Sequence, residues 1–577
     1  MHEKLVSAPL SEESKHNIEQ WLHDSKFAFY KDELETLIDK DEWQFLEDAF
    51  FRVIPFGTGG RRGTCGIGSN RINRVTIGET QQAFCEYLKK TYPEKDLSIG
   101  IAYDSRLTSR EFAEYCARVA SGNGIKVFLF DGPRSTPELS FTVRNRKLDG
   151  GVVITASHNP SPDNGIKLYW SDGGQIVAPH DGAILETANK VETIAESEYS
   201  ADSDPNVTII AEKDDEQYWE KAGTCAKSEE RDLKIAYSPL HGTGITSVYP
   251  VLSNLGFNVL LLEEQSSMDG RFPNVTNHIP NPEVAAANDK LSDYALQENC
   301  DIATSNDPDA DRYCVLVRHD NKMAQLTGNQ AAVLMTDYIL GEMKRAGQLT
   351  EKHFISSTIV TTDMLPAIAD YYGVQAVSNL LVGFKYIGEQ IHLRHDSGQQ
   401  IFVCGGEESY GGIIGDYCRD KDAAGPTAAL CDYAAVLKKQ GKTLIDKLDE
   451  LYGQHGVFME DLYSIQFPGA EGFNEMQDFM KKLRNNSPTK IKQHEVVRVR
   501  DYSFGKEIEG KKENVIRLEV SQDGRNRVTI RPSGTEPKLK IYTQVFVSAG
   551  NTLATAKEEA QNRIDELKQG IIEMIGV

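Results

Sequence analysis

The residues able to do chemistry fall in four short stretches. The first is Gly151-Val-Val-Ile-Thr-Ala-Ser-His-Asn-Pro160, with Ser157 at its working point. Gly151 to Thr155 has the β-branched composition of a buried strand, and Asn159-Pro160 ends it. A serine at that end is held on a rigid support and faced outward, as a nucleophile or phosphate carrier must be. Alone, it could equally cap a strand or a following helix. The second stretch is Asp307-Pro-Asp309-Ala-Asp311-Arg312. Three alternating aspartates repel one another unless a cation offsets them, and a divalent ion with oxygen ligands does so. Arg312 and Arg318 stand where an EF-hand needs glycine and a closing glutamate, so this is not that motif. Three monodentate carboxylates would leave a Mg²⁺ shell open for water or a phosphate oxygen; the bland alternative is a solvated acidic loop.

The third stretch, Gly405-Gly-Glu407-Glu408-Ser409-Tyr410-Gly411, reads as a sugar reader. Its carboxylates accept from vicinal hydroxyls, Ser409 adds a contact, and the glycines admit close approach. It could also be an ordinary N-cap region. The fourth, Val528-Thr-Ile-Arg531-Pro-Ser533-Gly534-Thr535-Glu-Pro-Lys538, offers an arginine, two hydroxyls and a glycine-opened backbone, a cradle for a phosphate dianion rather than a polar turn.

Other residues support these four. Phe56-Gly-Thr-Gly-Gly-Arg-Arg-Gly63 combines close backbone approach with forked phosphate donors, though alone it could be a flexible turn. Lys167 follows an Asp163-Asn-Gly165 turn, and a hairpin-like return would bring it near Ser157, where burial would lower its pKa for acid–base work. A solvated strand lysine is the alternative. His158 could shuttle a proton, but bonding to a carbonyl is the favoured reading. Gly383 and Lys385 lie in a loop entering a helix, with the lysine in reach of a substrate anion. Arg419-Asp-Lys421-Asp422 could add phosphate contacts.

The elements that must position these loops alternate. Leu97–Tyr103 reads as a strand ending in Asp104-Ser-Arg106, Glu111–Val119 as a helix and Ile125–Leu129 as a strand, which indicates a parallel α/β sheet. Further strands are expected at 234–237, 258–262, 313–317, 355–360, 374–377 and 401–404. The first fifty residues carry Ile18, Trp21, Leu22, Leu34, Leu37, Trp43 and Leu46 at helical spacing, as amphipathic helices on the outside of the first domain. A Glu-, Ser- and Asp-rich stretch at 190–205 marks the first boundary. The expected domains are 1–204 with the Ser157 loop, 205–325 with the three-aspartate loop, 326–457 with the Glu407 loop and 458–577 with the Arg531 loop. No fixed-period repeat is visible.

A chain of 577 residues is too long for one core. Its formal net charge of −23 argues against nucleic acid and anionic membranes as partners, though not against an anionic substrate in a local basic site. Nine scattered cysteines without a C-x-x-C pair read as reduced thiols in a cytoplasmic protein. No apolar run has signal-peptide or membrane-spanning length.

Taken in this order, the four stretches resemble the α-D-phosphohexomutase superfamily, over nearly the whole chain from Phe56 onward. Thr155-Ala-Ser-His-Asn-Pro160 is similar to its phosphoserine loop. Asp307-Pro-Asp-Ala-Asp-Arg312 is similar to its Mg²⁺ loop, usually written with glycines between the aspartates. Gly406-Glu-Glu-Ser409 resembles its sugar loop and Arg531-Pro-Ser-Gly-Thr535 its phosphate loop. Glu407 to Gly411 with Arg419 to Asp422 is most similar to phosphoglucomutases of the bacterial type, with phosphopentomutase-like relatives close. The resemblance implies three related α/β domains and a smaller α+β C-terminal domain around a central cleft. It implies an isomerase that interconverts glucose 1-phosphate and glucose 6-phosphate through phosphorylated Ser157 and a glucose 1,6-bisphosphate that also activates it. Mg²⁺ would sit on Ser157, Asp307, Asp309 and Asp311. Ser157, Lys167, Arg62 and His158 would be catalytic, with Arg61 undecided because that position is often apolar in the family. Arg312, Gly383, Lys385, Glu407, Ser409, Lys421, Arg531, Ser533, Gly534, Thr535 and Lys538 would bind substrate. The expected partners are small sugar phosphates, to a monomer or homodimer. Pentose or mannose phosphate could replace glucose phosphate, and a Mg²⁺-dependent phosphatase or a silent sugar-phosphate binder would reuse many of the same groups.

Overall fold

A computed structural model of the chain describes residues 2–55, 60–467, 469–533, 538–550 and 552–576. Phe56–Gly59 of the glycine–arginine loop, and Gly534 and Thr535 of the phosphate loop, lie outside the described residues.

The first sheet holds β1 (Gly60–Thr64), β2 (Ser98–Tyr103), β3 (Lys126–Phe130), β4 (Gly150–Ile154), β5 (Asp163–Trp170) and β6 (Val207–Ile210), in the order β1-β5-β4-β2-β3-β6. Strands β4, β2, β3 and β6 run parallel, but β5 returns antiparallel to β4, and β1 pairs antiparallel with β5. The sheet is therefore mixed, not parallel throughout. The connection from β4 to β5 is too short for a helical crossover, so it makes a hairpin. Its turn is at Ser161-Pro162; Asp163-Asn-Gly165, expected as the turn, already belongs to β5. Strand β6 lies just past the boundary expected at 204 and still pairs within the first sheet. The acidic stretch leads into an edge strand that pairs with Val127–Phe130, and an edge strand of four residues with exposed Thr208 and Ile209 gives a weak pattern.

The same device recurs. In the second sheet β7 (Lys234–Ser238) lies parallel to β8 (Asn258–Leu261) and β9 (Ile302–Asn306), then β9 turns back antiparallel into β10 (Tyr313–His319), flanked by β11 (Lys322–Gln325). In the third, β12 (His353–Thr358) lies parallel to β13 (Gln375–Leu380) and β14 (Ile401–Gly406), and β14 turns back into β15 (Gly412–Ile414). The last sheet is antiparallel: β16 (Val457–Gln466) and, beyond a small pair β17 (Lys490–Ile491) and β18 (His494–Glu495), β19 (Arg498–Asp501), β20 (Ile516–Glu519), β21 (Arg527–Pro532) and β22 (Lys538–Val547). Each of the four chemically suggestive stretches is the connection of one hairpin: β4–β5, β9–β10, β14–β15 and β21–β22. A repeat invisible in residue types is present in topology.

The N-terminal helices form their own small core, in which Trp21 stacks on Phe27 at 4.5 Å and meets Phe50 edge-on at 5.3 Å. Ile67 and Val75 of the first domain join it, so these helices pack on that domain as expected. One continuous core runs through the remaining three domains. All nine cysteines are free thiols, and no described helix is long and apolar enough to cross a membrane.

Gly60 is where backbone spacing is least forgiving. A Cβ there would meet the Ile166 carbonyl oxygen at 1.8 Å across the β1–β5 ladder. Gly60→Ala is expected to cost about 1–3 kcal/mol, the usual range for overpacking. Chemical denaturation of the first domain checks this, and an unchanged midpoint would contradict the register.

Candidate functional site

Ser157 sits just past β4 at φ +52°, in the left-handed region that non-glycine residues seldom occupy. Its backbone N–H donates to Thr155 Oγ1 at 2.7 Å. Its hydroxyl donates to Asp307 Oδ2 at 2.6 Å, across the junction of the first two domains. His158 Nδ1 lies 3.2 Å from the same hydroxyl oxygen, so among the described residues this nitrogen faces the serine rather than the carbonyl expected for the ring. Burial, and then Arg312, Arg62, Lys540 and Lys538 around it, hold the imidazole pKa well below its ordinary value, so His158 is neutral.

Asp307, Asp309 and Asp311 are fully buried and offer one ligand oxygen each within 4.8 Å of one another. Three buried like charges need compensation. Lys167 donates to Asp309 Oδ2 at 2.8 Å and Asp311 Oδ2 at 3.3 Å, and Lys421 lies 3.0 Å from Asp311. Thr136 Oγ1 donates to Asp309 Oδ2 at 2.8 Å, and Asp307 Oδ1 accepts the N–H groups of Asp311 and Arg312. Asp309 Oδ1 and Asp311 Oδ1 are buried with no hydrogen-bond partner, though Arg312 Nε stands 3.8 Å from the latter. Buried carboxylate oxygens without hydrogen-bond partners, on three aspartates this close together, suit a hard divalent cation with oxygen ligands.

The hairpin return does place Lys167 in this cluster, opposite Val153. Its charge state differs from expectation. Burial pulls its pKa down, but Asp309 and Asp311 outweigh that and raise it, so Lys167 is a firmly charged ammonium. Burial pushes Asp307 well above the carboxylate range, reinforced by Asp309 and Asp311, and Asp311 is pushed up too. Asp309, with Lys167 against it, is held low despite burial.

The third and fourth hairpins face this cluster. Arg62, Lys167, Arg312, Gly383, Lys385, Glu407, Ser409, Lys421 and Arg531 line one cleft with Ser157. Arg61 settles differently from Arg62. Its side chain is buried in the first domain, donating to the Thr76 carbonyl and to Glu79. Of the 419–422 run only Lys421 reaches the cleft. Arg419 is buried against Asp396, Asp420 accepts from Tyr169, and Asp422 accepts from Tyr218 and caps the following helix at Ala424 and Gly425. The phosphate contact that the run could add is thus left to Lys421, since Arg419 is taken up by Asp396. Arg531 donates to Glu513 at 2.6 Å. Ser533 closes the β21–β22 hairpin by donating its N–H to the Lys538 carbonyl.

Some lining residues escaped the sequence reading. Lys540 and Tyr542 line the cleft from β22. The signal was the period of two running on from Lys538, which puts 538, 540 and 542 on one strand face. Burial lowers Lys540 to about 8. Glu408, already read with Glu407 as a hydroxyl acceptor, lines the cleft beside it.

Glu407 accepts the Gly383 N–H at 3.1 Å, tying the sugar loop to the helix that carries Lys385. Burial, then neighbouring Glu408, push its pKa up to about 7. An ionised carboxylate accepts from hydroxyls with both oxygens, whereas protonation turns one of them into a donor. KM for a sugar phosphate is therefore expected to rise as pH falls below about 7, and Glu407→Gln to flatten that limb. A pH profile of KM shared by wild type and variant would contradict this. For the fold the sign is opposite: the native state holds this proton up to about 7 while the unfolded chain releases it near 4.5, so this contribution to stability is lost as pH rises through that window.

Comparison with known proteins agrees with this architecture. Residues 54–195, 216–321 and 327–455 match the first, second and third α/β/α domains of phosphoglucomutase/phosphomannomutase, and 496–561 its C-terminal domain. The chain is 33% identical over 527 residues to a phosphoglucomutase of Staphylococcus epidermidis, covering 88% of this chain and 93% of the relative. In fold it is similar to pp63/parafusin, a phosphoglucomutase of Paramecium in its open form, at TM-score 0.66 and 19% identity, over 89% of this chain and 95% of that one. It is also similar to a phosphoglucomutase/phosphomannomutase family protein of Burkholderia thailandensis, at TM-score 0.62 and 17% identity, over 89% and 97%.

Proposed function

We infer the reaction from kinship and geometry together: the chain belongs to the phosphoglucomutase/phosphomannomutase family, and its cleft moves a phosphoryl group between two oxygens of one sugar. It is a mutase, an enzyme of the isomerase class, and the substrate pair is glucose 1-phosphate and glucose 6-phosphate. The observation that carries the reading is the Ser157 hydroxyl, which lines a cation-rich cleft and stands 2.6 Å from the first of three clustered aspartates.

Phosphorylated Ser157 gives its phosphoryl group to the free hydroxyl of the bound sugar phosphate. The P–Oγ bond breaks, a new P–O bond forms, and the hydroxyl proton passes to a base. The bisphosphate then turns, and its other phosphoryl group returns to Ser157 Oγ. Neutral His158, 3.2 Å from Oγ, is the group ready to accept the serine proton, and charged Lys167 the group ready to donate one. Phosphoryl transfer depends mainly on alignment and charge compensation. Arg62 and Lys167 balance the moving phosphoryl group. Glu407 and Ser409 hold sugar hydroxyls in either orientation. Arg531, Ser533 and Lys540, with Gly534, Thr535 and Lys538, hold the phosphate that stays. Lys385 and Lys421 add positive charge from the third domain. Asp307, Asp309 and Asp311 with Ser157 would hold Mg²⁺, which when bound neutralises phosphate charge.

The test is turnover of glucose 1-phosphate with Mg²⁺ and a trace of glucose 1,6-bisphosphate, beside ribose 1-phosphate and mannose 1-phosphate. The expected result is faster conversion of the glucose ester, without free phosphate. Faster turnover of another ester would keep the mechanism and move the substrate. Stoichiometric release of inorganic phosphate would make the protein a phosphatase.

A further inference from the structure

We propose that Arg106 is the positioning residue of the phosphoryl-carrying loop, acting through four backbone carbonyls; the inference rests on Ser157 being the carrier. Arg106 lies beyond the end of β2 and is 3% exposed. Its Nη1 donates to the carbonyls of Pro160 and Asp163, both at 2.8 Å. Its Nη2 donates to those of Ser157, at 2.6 Å, and Asn159, at 2.5 Å. One guanidinium thus spans the whole turn from β4 into β5. Its Nε lies 3.2 Å from Asp104 Oδ2.

Asp104 closes the circuit. Its carboxylate accepts from Ser109 Oγ at 2.6 Å and from Thr155 Oγ1 at 2.7 Å. Thr155 Oγ1 in turn accepts the Ser157 N–H. Both backbone polar groups of Ser157 therefore lead to the Asp104–Arg106 pair, one through Thr155 and one directly. This accounts for a serine kept at φ +52°. The second domain seals the arrangement. The Phe272 ring lies 5.3 Å from the guanidinium, Ser161 Oγ donates to the Gly270 carbonyl at 2.6 Å, and a Cβ on Gly270 would meet Arg106 Cα at 2.6 Å. Arg106 touches neither the serine hydroxyl nor the aspartate triad's oxygens. It sets where the hydroxyl stands relative to Asp307. Lysine cannot replace it, because an ammonium is a single point of donation while the guanidinium is a fixed fork.

The experiment is rapid-quench measurement of label transfer from glucose 1,6-bisphosphate to dephosphorylated protein, with rates normalised to folded protein. Wild type that takes up no label would refute the carrier reading itself, separately from this inference. Arg106→Lys keeps the buried charge beside Asp104 and loses the span. It is expected to slow transfer by about 10²-fold, the scale of a 1 Å misplacement, with the half-saturating bisphosphate concentration within about threefold of wild type. In Arg106→Gly, millimolar guanidinium is expected to restore at least about tenfold of the lost rate, within that same range. A residue that only supported the fold would lower the melting temperature and leave the rate per folded molecule unchanged and indifferent to guanidinium. Arg106→Lys transferring within about threefold of wild type overturns the proposal, and so does a folded Arg106→Gly that guanidinium does not restore. If Arg106→Gly does not fold, Arg106→Lys decides alone.

Discussion

Ser157→Ala is expected to take up no phosphate from glucose 1,6-bisphosphate and to lose about 10⁴-fold or more in turnover, the scale seen when a covalent nucleophile is removed. Binding should survive. Glu407, Ser409 and Arg531 belong to the third and fourth domains, and none depends on the serine hydroxyl. The dissociation constant for glucose 1-phosphate is expected to stay within about threefold of wild type while kcat collapses, a pattern that separates transition-state from ground-state loss. Stability should change modestly. The variant removes two hydrogen bonds, to Asp307 and with His158 Nδ1, each worth about 1 kcal/mol net. Normal phosphate incorporation in Ser157→Ala would remove Ser157 from the mechanism.

Asp309→Asn is the second large effect. Asp309 is held on one side only: one oxygen accepts from Lys167 and Thr136, and the other is buried without a hydrogen-bond partner. The amide would cancel the charge that balances Lys167 and set an N–H₂ against one of those donors or into the ion's place. Losing a group that merely orients a metal ligand typically costs 10–100-fold, and losing a ligand should cost at least that, so turnover is expected to fall about 10²-fold or more. The Mg²⁺ concentration for half-maximal activity should rise with it. Chelation of wild type should abolish turnover, and added Mg²⁺ should restore it. An unchanged metal titration in Asp309→Asn would show that this cluster is not the metal site.

Much of this was legible in the residues because each functional loop is a tight hairpin connection. Hairpin loops need glycine, proline and small polar residues, so they stand out against apolar strands. Asp307 to Asp311 was legible because three acids at alternate positions between two strands repel one another unless a cation sits among them. What sequence could not supply was pairing. That Lys167 would meet two aspartates and stay charged follows from contacts 142 and 144 residues away in the chain. Arg61 and Arg62 are adjacent and identical in type, and only the strand pleat turns the side chain of the first away, onto the Thr76 carbonyl and Glu79. Arg419 and Asp422 looked like cleft residues because they flank Lys421, yet Asp396 and Tyr218 consume them. Arg106 was visible only as the polar end of a strand. Its four acceptors are backbone carbonyls, which carry no residue-type signal at all.

The most direct test of the central claim is to locate the phosphate. Wild-type protein is incubated with labelled glucose 1,6-bisphosphate and Mg²⁺, digested and mapped by mass spectrometry, with a parallel sample chased by unlabelled glucose 1-phosphate. The account predicts one phosphate per chain on the peptide containing Ser157, and its transfer during the chase into bisphosphate and then glucose 6-phosphate. Label on another residue, or label that leaves Ser157 only as inorganic phosphate, would contradict it.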